Sequence, residues 1–405
     1  MEKFDIYLHS PEFIYVCNDS FDVYHKKDIG IKNGKICFIG DYEEAKEKIG
    51  DSTKFYNLEG KIVLPGFVDP HTHPVYAGDR ILEFEERLGG KEYLELLKEE
   101  RGIISTVKKT RELNKIKLKE IVKNRLWKFI EYGTLTIEAK TGYGLSVEEE
   151  LKHMEILNEL KEELPLDIKI SALFAHAIPP DKSKDEYIEE IVKYGLKEAK
   201  KYADFCDVFV EKGVYTKEEG KLILTEAKKL GLLPKIHADE LSESGGGELA
   251  LEVDAVSADH LEFTPIHILE KMRDKNVFPI LLPGTSFFMR LPFANGRKML
   301  DLGLKVSLAT DHNPGTSYLF SQVFSAGLAI FLMGFKIEEA IKAITINPSR
   351  SLLLEEKKGS IEVGKDADLI VFDVSRLSYL FYNFFEVRKP ILIIKKGKEV
   401  IDEIS

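Results

Sequence analysis

The sequence predicts a (β/α)8 TIM-like barrel carrying a small β-sandwich domain formed by both termini. Three observations point there. Eight short apolar, β-rich runs alternate with helical stretches through the middle of the chain, both ends are β-rich, and titratable residues collect at the C-terminal ends of the runs.

Taken in order, residues 1 to about 58 hold short alternating segments at 5–17 and 29–40, the second turning at Asn33-Gly34 as hairpins do. The eight runs follow at residues 62–68, 134–139, 168–175, 207–210, 234–237, 255–258, 278–282 and 305–309. Helical patterns separate them, among them 147–164, 185–201, 217–230 and 317–333. Short β runs return at 368–373 and 390–396. Each terminal fragment is too small to close a core, so the two are expected to pair. The expected division is residues 1–60 with 350–405 for the small β domain and 61–349 for the barrel. A doubly wound open sheet is the competing topology. It lacks its phosphate-binding signature here, because Gly245-Gly246-Gly247 follows a helix-start pattern and no GxGxxG follows a first strand.

Bulk properties narrow the function classes. With 405 residues, 44% hydrophobic and 31% charged, the chain can bury a large core. It has no apolar run of transmembrane length, and Met1-Glu2-Lys3-Phe4-Asp5 lacks a signal-peptide layout, so a cytoplasmic protein is expected. A net charge of -11 argues against nucleic-acid and anionic-membrane partners, which demand basic surfaces. Cys17, Cys37 and Cys206 show no CxxC spacing, which argues against a disulfide framework or a cysteine zinc site. Gln322 is the sole glutamine among abundant Lys and Glu, a composition that fits a thermophile's surface and equally an AT-rich genome.

In a barrel, chemistry sits at the C-terminal ends of the strands. Seven of the eight runs end in titratable groups: His71 and His73; Glu138 and Lys140, with Tyr143 beyond; His176; Glu211; His237, with Asp239 and Glu240; Asp259 and His260; Asp311, with His312 and Asn313. His71 and His73 lie at i and i+2, so in a strand both imidazoles leave one face. With His237 and Asp311 they would converge on one divalent metal at the barrel mouth, with room for water. A bound zinc or iron lowers the pKa of that water toward neutrality, and hydrolysis is the implied reaction. Arg80, seven residues past His73, is either a surface charge or, for a substrate that carries a carboxylate, a cation near the mouth able to grip it in bidentate fashion. Glu240, three residues past His237, can stay off the metal and shuttle a proton. His176 and His260 are candidate neutral donors, and Tyr143 a phenolic one. His9, His25, His153 and His267 lie away from strand ends and receive no role.

The run from Pro65 to His73, with His237, Asp311 and the closing Gly359-Ser360-Ile361-Glu362-Val363-Gly364-Lys365-Asp366-Ala367-Asp368, resembles the amidohydrolase superfamily. More narrowly, His71-Thr72-His73-Pro74-Val75-Tyr76-Ala77-Gly78-Asp79-Arg80, Glu138-Ala139-Lys140-Thr141-Gly142-Tyr143-Gly144-Leu145, His176-Ala177-Ile178-Pro179, Lys235-Ile236-His237-Ala238-Asp239-Glu240 and Thr310-Asp311-His312-Asn313-Pro314-Gly315-Thr316 resemble the branch of that superfamily that opens the ring of 4-imidazolone-5-propanoate in histidine degradation. The resemblance implies zinc or iron on His71, His73, His237 and Asp311. It implies catalytic roles for Glu240, His260 and Asp311, and substrate contacts from Arg80, Tyr93, Tyr143, His176, Glu240, His260, Asn313, Gly315 and Thr316. A homodimer is also implied. Glu211 stands where two-metal members often carry a carbamylated lysine, so one metal per chain is expected.

Two departures from that branch are visible. His312 replaces an aromatic residue and is read either as tuning the metal's surroundings or, the favoured expectation, as pointing outward, and Arg101-Gly102-Ile103-Ile104-Ser105-Thr106 replaces a more glycine-rich loop at the pocket entrance. A deaminase acting on a cyclic amidine would use the same metal chemistry, and a non-catalytic barrel would keep the fold without it. Recognition of a carboxylate separates the first alternative, and metal content the second.

Overall fold

The computed structural model describes residues 2–90 and 102–404. Its centre is an eight-stranded parallel sheet in sequential order. The strands are β1 (Phe67–Thr72), β2 (Thr134–Lys140), β3 (Asp167–Ala175), β4 (Phe205–Val210), β5 (Leu233–Ala238), β6 (Ser257–His260), β7 (Phe278–Leu281) and β8 (Ser307–Leu308). Helices between them cover the outside. Val147–Glu163 starts where the Ser146 hydroxyl accepts from the Glu149 amide, and Lys217–Lys229 starts with a reciprocal Thr216/Glu219 capping box.

The barrel closes between β1 and β8 without an ordinary ladder. The Asp311 amide donates to His71 O at 3.1 Å and the His73 amide to His312 O at 2.9 Å, above a strand pair too short to continue downward. Side chains complete the seam. The Asp69 carboxylate accepts from the Thr310 amide at 3.2 Å and its hydroxyl at 2.6 Å, and the Gln322 amide donates to Val68 O at 2.8 Å and Leu308 O at 3.2 Å. The sole glutamine of the chain thus staples first strand to last.

The termini form two further sheets. One has four strands, Lys35–Gly40, Asp28–Lys32, Ile6–His9 and Lys54–Asn57; the other has six, Lys398–Asp402, Leu392–Lys395, Leu369–Phe372, Ile62–Pro65, Phe13–Tyr15 and Val23–His25. They share one core, in which Ile6, Leu8, Ile29 and Ile31 of the first meet Val63, Leu369, Val371 and Leu392 of the second. The Asn33-Gly34 hairpin forms as expected, with φ of 51° and 77° as a type I′ turn requires.

Three sequence expectations need correction. Residues 62–68 are two strands and not one. Ile62–Pro65 pairs antiparallel with Leu369–Phe372 in the terminal sheet, and the chain enters the barrel only after Gly66, where a β-carbon would stand 2.6 Å from Leu135. The 185–201 helix is interrupted: Lys184–Glu190 passes through a π-turn at Ile191–Gly195 into Leu196–Ala199. The 317–333 helix begins at Gln322, because Ser321 caps it while Ser317 is tied to Thr310 O at 2.6 Å.

An ionic cluster joins the barrel's lower rim to the C-terminal segment. Asp167, at the start of β3, lies 2.5 Å from both Lys358 Nζ and Lys395 Nζ, and both lysines also reach Asp368.

Candidate active site

The upper barrel rim gathers four metal-type donors. Parity along β1 sends His71 and His73 to one side, and their Nε2 atoms approach to 3.1 Å. His237 Nε2, from β5, lies 3.3 Å from His73 Nε2, and Asp311 Oδ1 lies 3.4 and 3.5 Å from His71 and His73 Nε2. A tetrahedral shell with bonds of about 2.1 Å has edges of about 3.4 Å, so these separations fit one small divalent ion. Burial, helped by Lys140 beside His71 and by His176 beside His73, holds both imidazoles neutral with their pKa values well below the usual range. Burial also lifts the Asp311 carboxyl to about 6, opposed by the Thr285 hydroxyl and by His237. Asp311 has φ +50°, a left-handed backbone conformation that non-glycine residues seldom adopt.

Beneath these ligands lies a set of buried charges that sequence reasoning left without a role. The His71 Nδ1–H donates to Asp259 Oδ2 at 2.6 Å, which fixes the tautomer and leaves the Nε2 lone pair facing the cluster. His237 Nδ1 lies 3.0 Å from Asp207 Oδ2. Lys140 touches Glu138, Asp207 and Asp259, and Lys235 pairs with Glu138; all five side chains are fully buried. Burial alone would discharge Lys140, but Asp207, Glu138 and Asp259 outweigh it and hold the ammonium well above its ordinary pKa. A readable signal existed: Glu138/Lys140, Lys235/His237 and Ser257/Asp259 are polar pairs at i, i+2 within apolar strands, the pattern of an inward barrel face.

Around the donors stand the other expected residues. The His176 ring stacks on His73 with centroids 5.1 Å apart, and its Nδ1–H donates to Gly142 O at 3.0 Å. Burial, His237 and the nearby Arg80 lower its pKa to about 4. Gly142 has φ +115°, and a β-carbon there would lie 2.6 Å from His176 Nδ1, so only glycine fits. Glu150 shapes the rest of that loop by accepting from the amides of Gly142, Gly144 and Leu145 at 2.7 to 2.8 Å, while Tyr143 packs with Tyr76, Val107 and Leu145.

Glu240 Oε2 lies 3.7 Å from His260 Nε2. Burial first, and then Asp311, Glu262 and Glu211, raise its pKa well above the ordinary carboxyl range. The backbone on each side of it is anchored. Asp239 accepts from the amides of Ser244, Gly246 and Gly247, and Glu211 from those of Leu241 and Ser242. Glu211 therefore faces backbone amides, and His260 sits at φ +78° with its Nδ1 3.8 Å from Glu262 Oε2.

Arg80 is buried, and its Nε–H donates to Thr106 Oγ1 at 2.9 Å. Among the described residues it has no carboxylate partner. Gly315 lies against its guanidinium, where any β-carbon would overlap Nη1. Asn313 is committed to its own loop: its amide donates to Asp311 O and Thr316 Oγ1 at 2.7 Å and accepts from the amides of Gly315 and Thr316 at 2.8 Å. Tyr93 and Arg101 lie outside the described residues; Ile103–Arg111 is helix, so most of the segment read as an entrance loop is the support for Arg80.

The expectation that His312 points outward is overturned. Its ring is fully buried, 4.2 Å from the Phe320 centroid, with Nε2 3.0 Å from Tyr76 Oη and Nδ1 3.1 Å from Leu319 O. Burial, with Arg125 beside it, keeps it neutral, so this histidine packs as an aromatic ring would.

An eight-stranded parallel barrel with this donor set at its C-terminal rim defines a metal-dependent hydrolase of the amidohydrolase class. Residues 62–400 match the amidohydrolase family. An imidazolonepropionase from Geobacillus sp. (strain WCH70) is 41% identical over 380 residues, covering 92% of this chain and 89% of its own. Another, from Kosmotoga olearia, is 40% identical over 381 residues, covering 93% and 91%. An adenosine deaminase from Xanthomonas campestris with bound zinc shares the fold at a TM-score of 0.77 and 14% identity, covering all of this chain and 94% of that one. The chain belongs to the imidazolonepropionase family of the amidohydrolases.

Proposed function

We propose that this enzyme hydrolyses the ring C–N bond of 4-imidazolone-5-propanoate to N-formimidoyl-L-glutamate, with one divalent metal per chain, zinc or iron, on His71, His73, His237 and Asp311. The observation that carries the reading is Arg80, a buried guanidinium without a carboxylate partner among the described residues, close enough to His176 to depress its pKa. An unpaired buried cation is costly, and an anionic substrate tail offsets that cost.

Bound at the four donors, the ion supplies a water acidic enough to yield a nucleophile near neutral pH. The chain's own residues do the rest. Arg80 binds the propionate and Gly315 leaves it room. Asn313 and Thr316 shape the loop that presents Gly315, while Tyr143, and Tyr93 by the resemblance alone, are assigned to substrate binding. His260 is neutral and is the candidate donor toward the ring carbonyl, whereas neutral His176, with its one N–H committed to Gly142 O, presents the Nε2 lone pair as an acceptor. Glu240, buried with Oε2 3.7 Å from His260 Nε2, is placed so that its carboxylate could accept a proton at the site and pass it to the ring nitrogen as the C–N bond breaks. The division into residues 1–60 with 350–405 and 61–349, a homodimer and a cytoplasmic location belong to this proposal.

The test incubates purified protein with 4-imidazolone-5-propanoate, follows the ring absorbance, and measures metal content. Turnover with one metal per chain is expected. No loss of ring absorbance from metal-loaded protein, or two tightly held metals, would contradict it.

A further inference from the structure

We propose that Lys140 is a positioning residue for the metal centre, a single buried ammonium that fixes the carboxylate hydrogen-bonded to His71 Nδ1 and the carboxylate that accepts from the His237 backbone amide and lies against its ring. The proposal rests on the metal reading above.

Lys140 comes from β2, a strand that contributes no metal ligand. Its Nζ donates to Glu138 Oε1 at 2.6 Å and to Asp207 Oδ2 at 2.7 Å, and lies in ion-pair range of Asp259 Oδ2 at 3.2 Å, so three carboxylates converge on one ammonium. Two of those oxygens are shared. Asp259 Oδ2 is also the acceptor of the His71 Nδ1–H at 2.6 Å, and Asp207 Oδ2 also lies 3.0 Å from His237 Nδ1. One cation thus bridges to ligands from β1 and β5 through one oxygen each.

The physical consequence follows from burial. Asp207 and Asp259 are fully buried and both face the same point; without a cation between them they repel, and each carries an imidazole with it. Ligands displaced in this way would open the 3.1 to 3.3 Å spacing of the imidazole nitrogens. The compact ammonium suits three converging oxygens, whereas the planar fork of arginine does not.

The fold supplies an internal control. Lys235 is equally buried and belongs to the same network, but its ammonium pairs with Glu138, lies 4.6 Å over the Phe205 ring, and among the described residues forms no ion pair with either aspartate. A role in folding alone would make the two lysines equivalent.

The experiment measures zinc affinity of metal-stripped protein by chelator competition, with an unfolding transition recorded for each apo variant. Lys140→Met is expected to weaken zinc binding by about 10- to 100-fold, the scale for lost outer partners of metal ligands. Lys235→Met is expected to bind zinc as the wild type does, whatever stability it loses. Wild-type affinity in Lys140→Met, or an equal loss in Lys235→Met, overturns the proposal. A wild type that takes up no zinc overturns the metal reading, and this proposal with it. Should Lys140→Met show no cooperative unfolding, Lys140→Arg takes its place, because it keeps the charge but not the three-way contact; the same two outcomes decide.

Discussion

Gly315 and Arg80 are mutually exclusive in volume: the guanidinium of Arg80 fills the position a Gly315 side chain would occupy. Because Arg80 Nε is tied to Thr106 Oγ1, the guanidinium cannot simply swing aside.

Gly315→Ala should therefore act like a milder Arg80 lesion. Arg80→Ala should raise KM for the acid substrate and leave metal content unchanged, with kcat/KM falling by about 2–5 kcal/mol in transition-state terms. Gly315→Ala should cost about 1–3 kcal/mol in the same direction, the usual scale of overpacking. Steady-state kinetics on the acid and on its propionamide analogue check both. If acid and amide are equally good wild-type substrates, carboxylate recognition is wrong and a deaminase of cyclic amidines becomes the better reading.

Glu240→Gln should keep its metal and lose about a hundredfold or more in turnover, as expected for a missing general acid or base. Elemental analysis and kcat are the measurements. Loss of metal together with activity would place Glu240 among the ligands instead.

Gln322→Leu removes the one side chain among the described residues that donates to both Val68 O and Leu308 O across the barrel seam. Two buried carbonyls are left without that donor, so the variant should lose about 1–3 kcal/mol of stability with metal binding retained. Denaturant midpoints compared with the wild type test it; an unchanged midpoint would show that the seam relaxes freely.

Asp167 gives a pH dependence whose sign is fixed. Lys395 and Lys358 outweigh burial and hold its carboxyl below the ordinary range, so its folded pKa lies below its unfolded one. The stabilisation is complete above the unfolded pKa of about 4 and is lost as pH falls through the folded value. Wild type and Asp167→Asn should thus differ in urea midpoint by a constant amount from pH 8 to about 5, and converge below about pH 4. A gap that widens in acid would contradict the assignment.

The order of strands and helices was legible because it rests on local signals: short apolar, β-rich runs such as 134–139 and 168–175, and helical spacing along 147–164 and 217–230. The His71/His73 pair was legible for the same reason, since two residues on one strand face need no partner to be recognised. What the tertiary structure decided lies between strands that are far apart in sequence. Ile62–Pro65 looks like its barrel neighbours but pairs with Leu369–Phe372, which only register reveals. His312 turns inward because Tyr76, Phe129 and Phe320 surround it with an apolar pocket. The Asp69–Thr310 contact spans 241 residues, and Lys140 meets Asp207 and Asp259 only once β2, β4 and β6 face a common axis. A sequence states the parity of each polar residue along its strand. Which charges then meet across the barrel depends on closure, and closure is a property of the whole sheet.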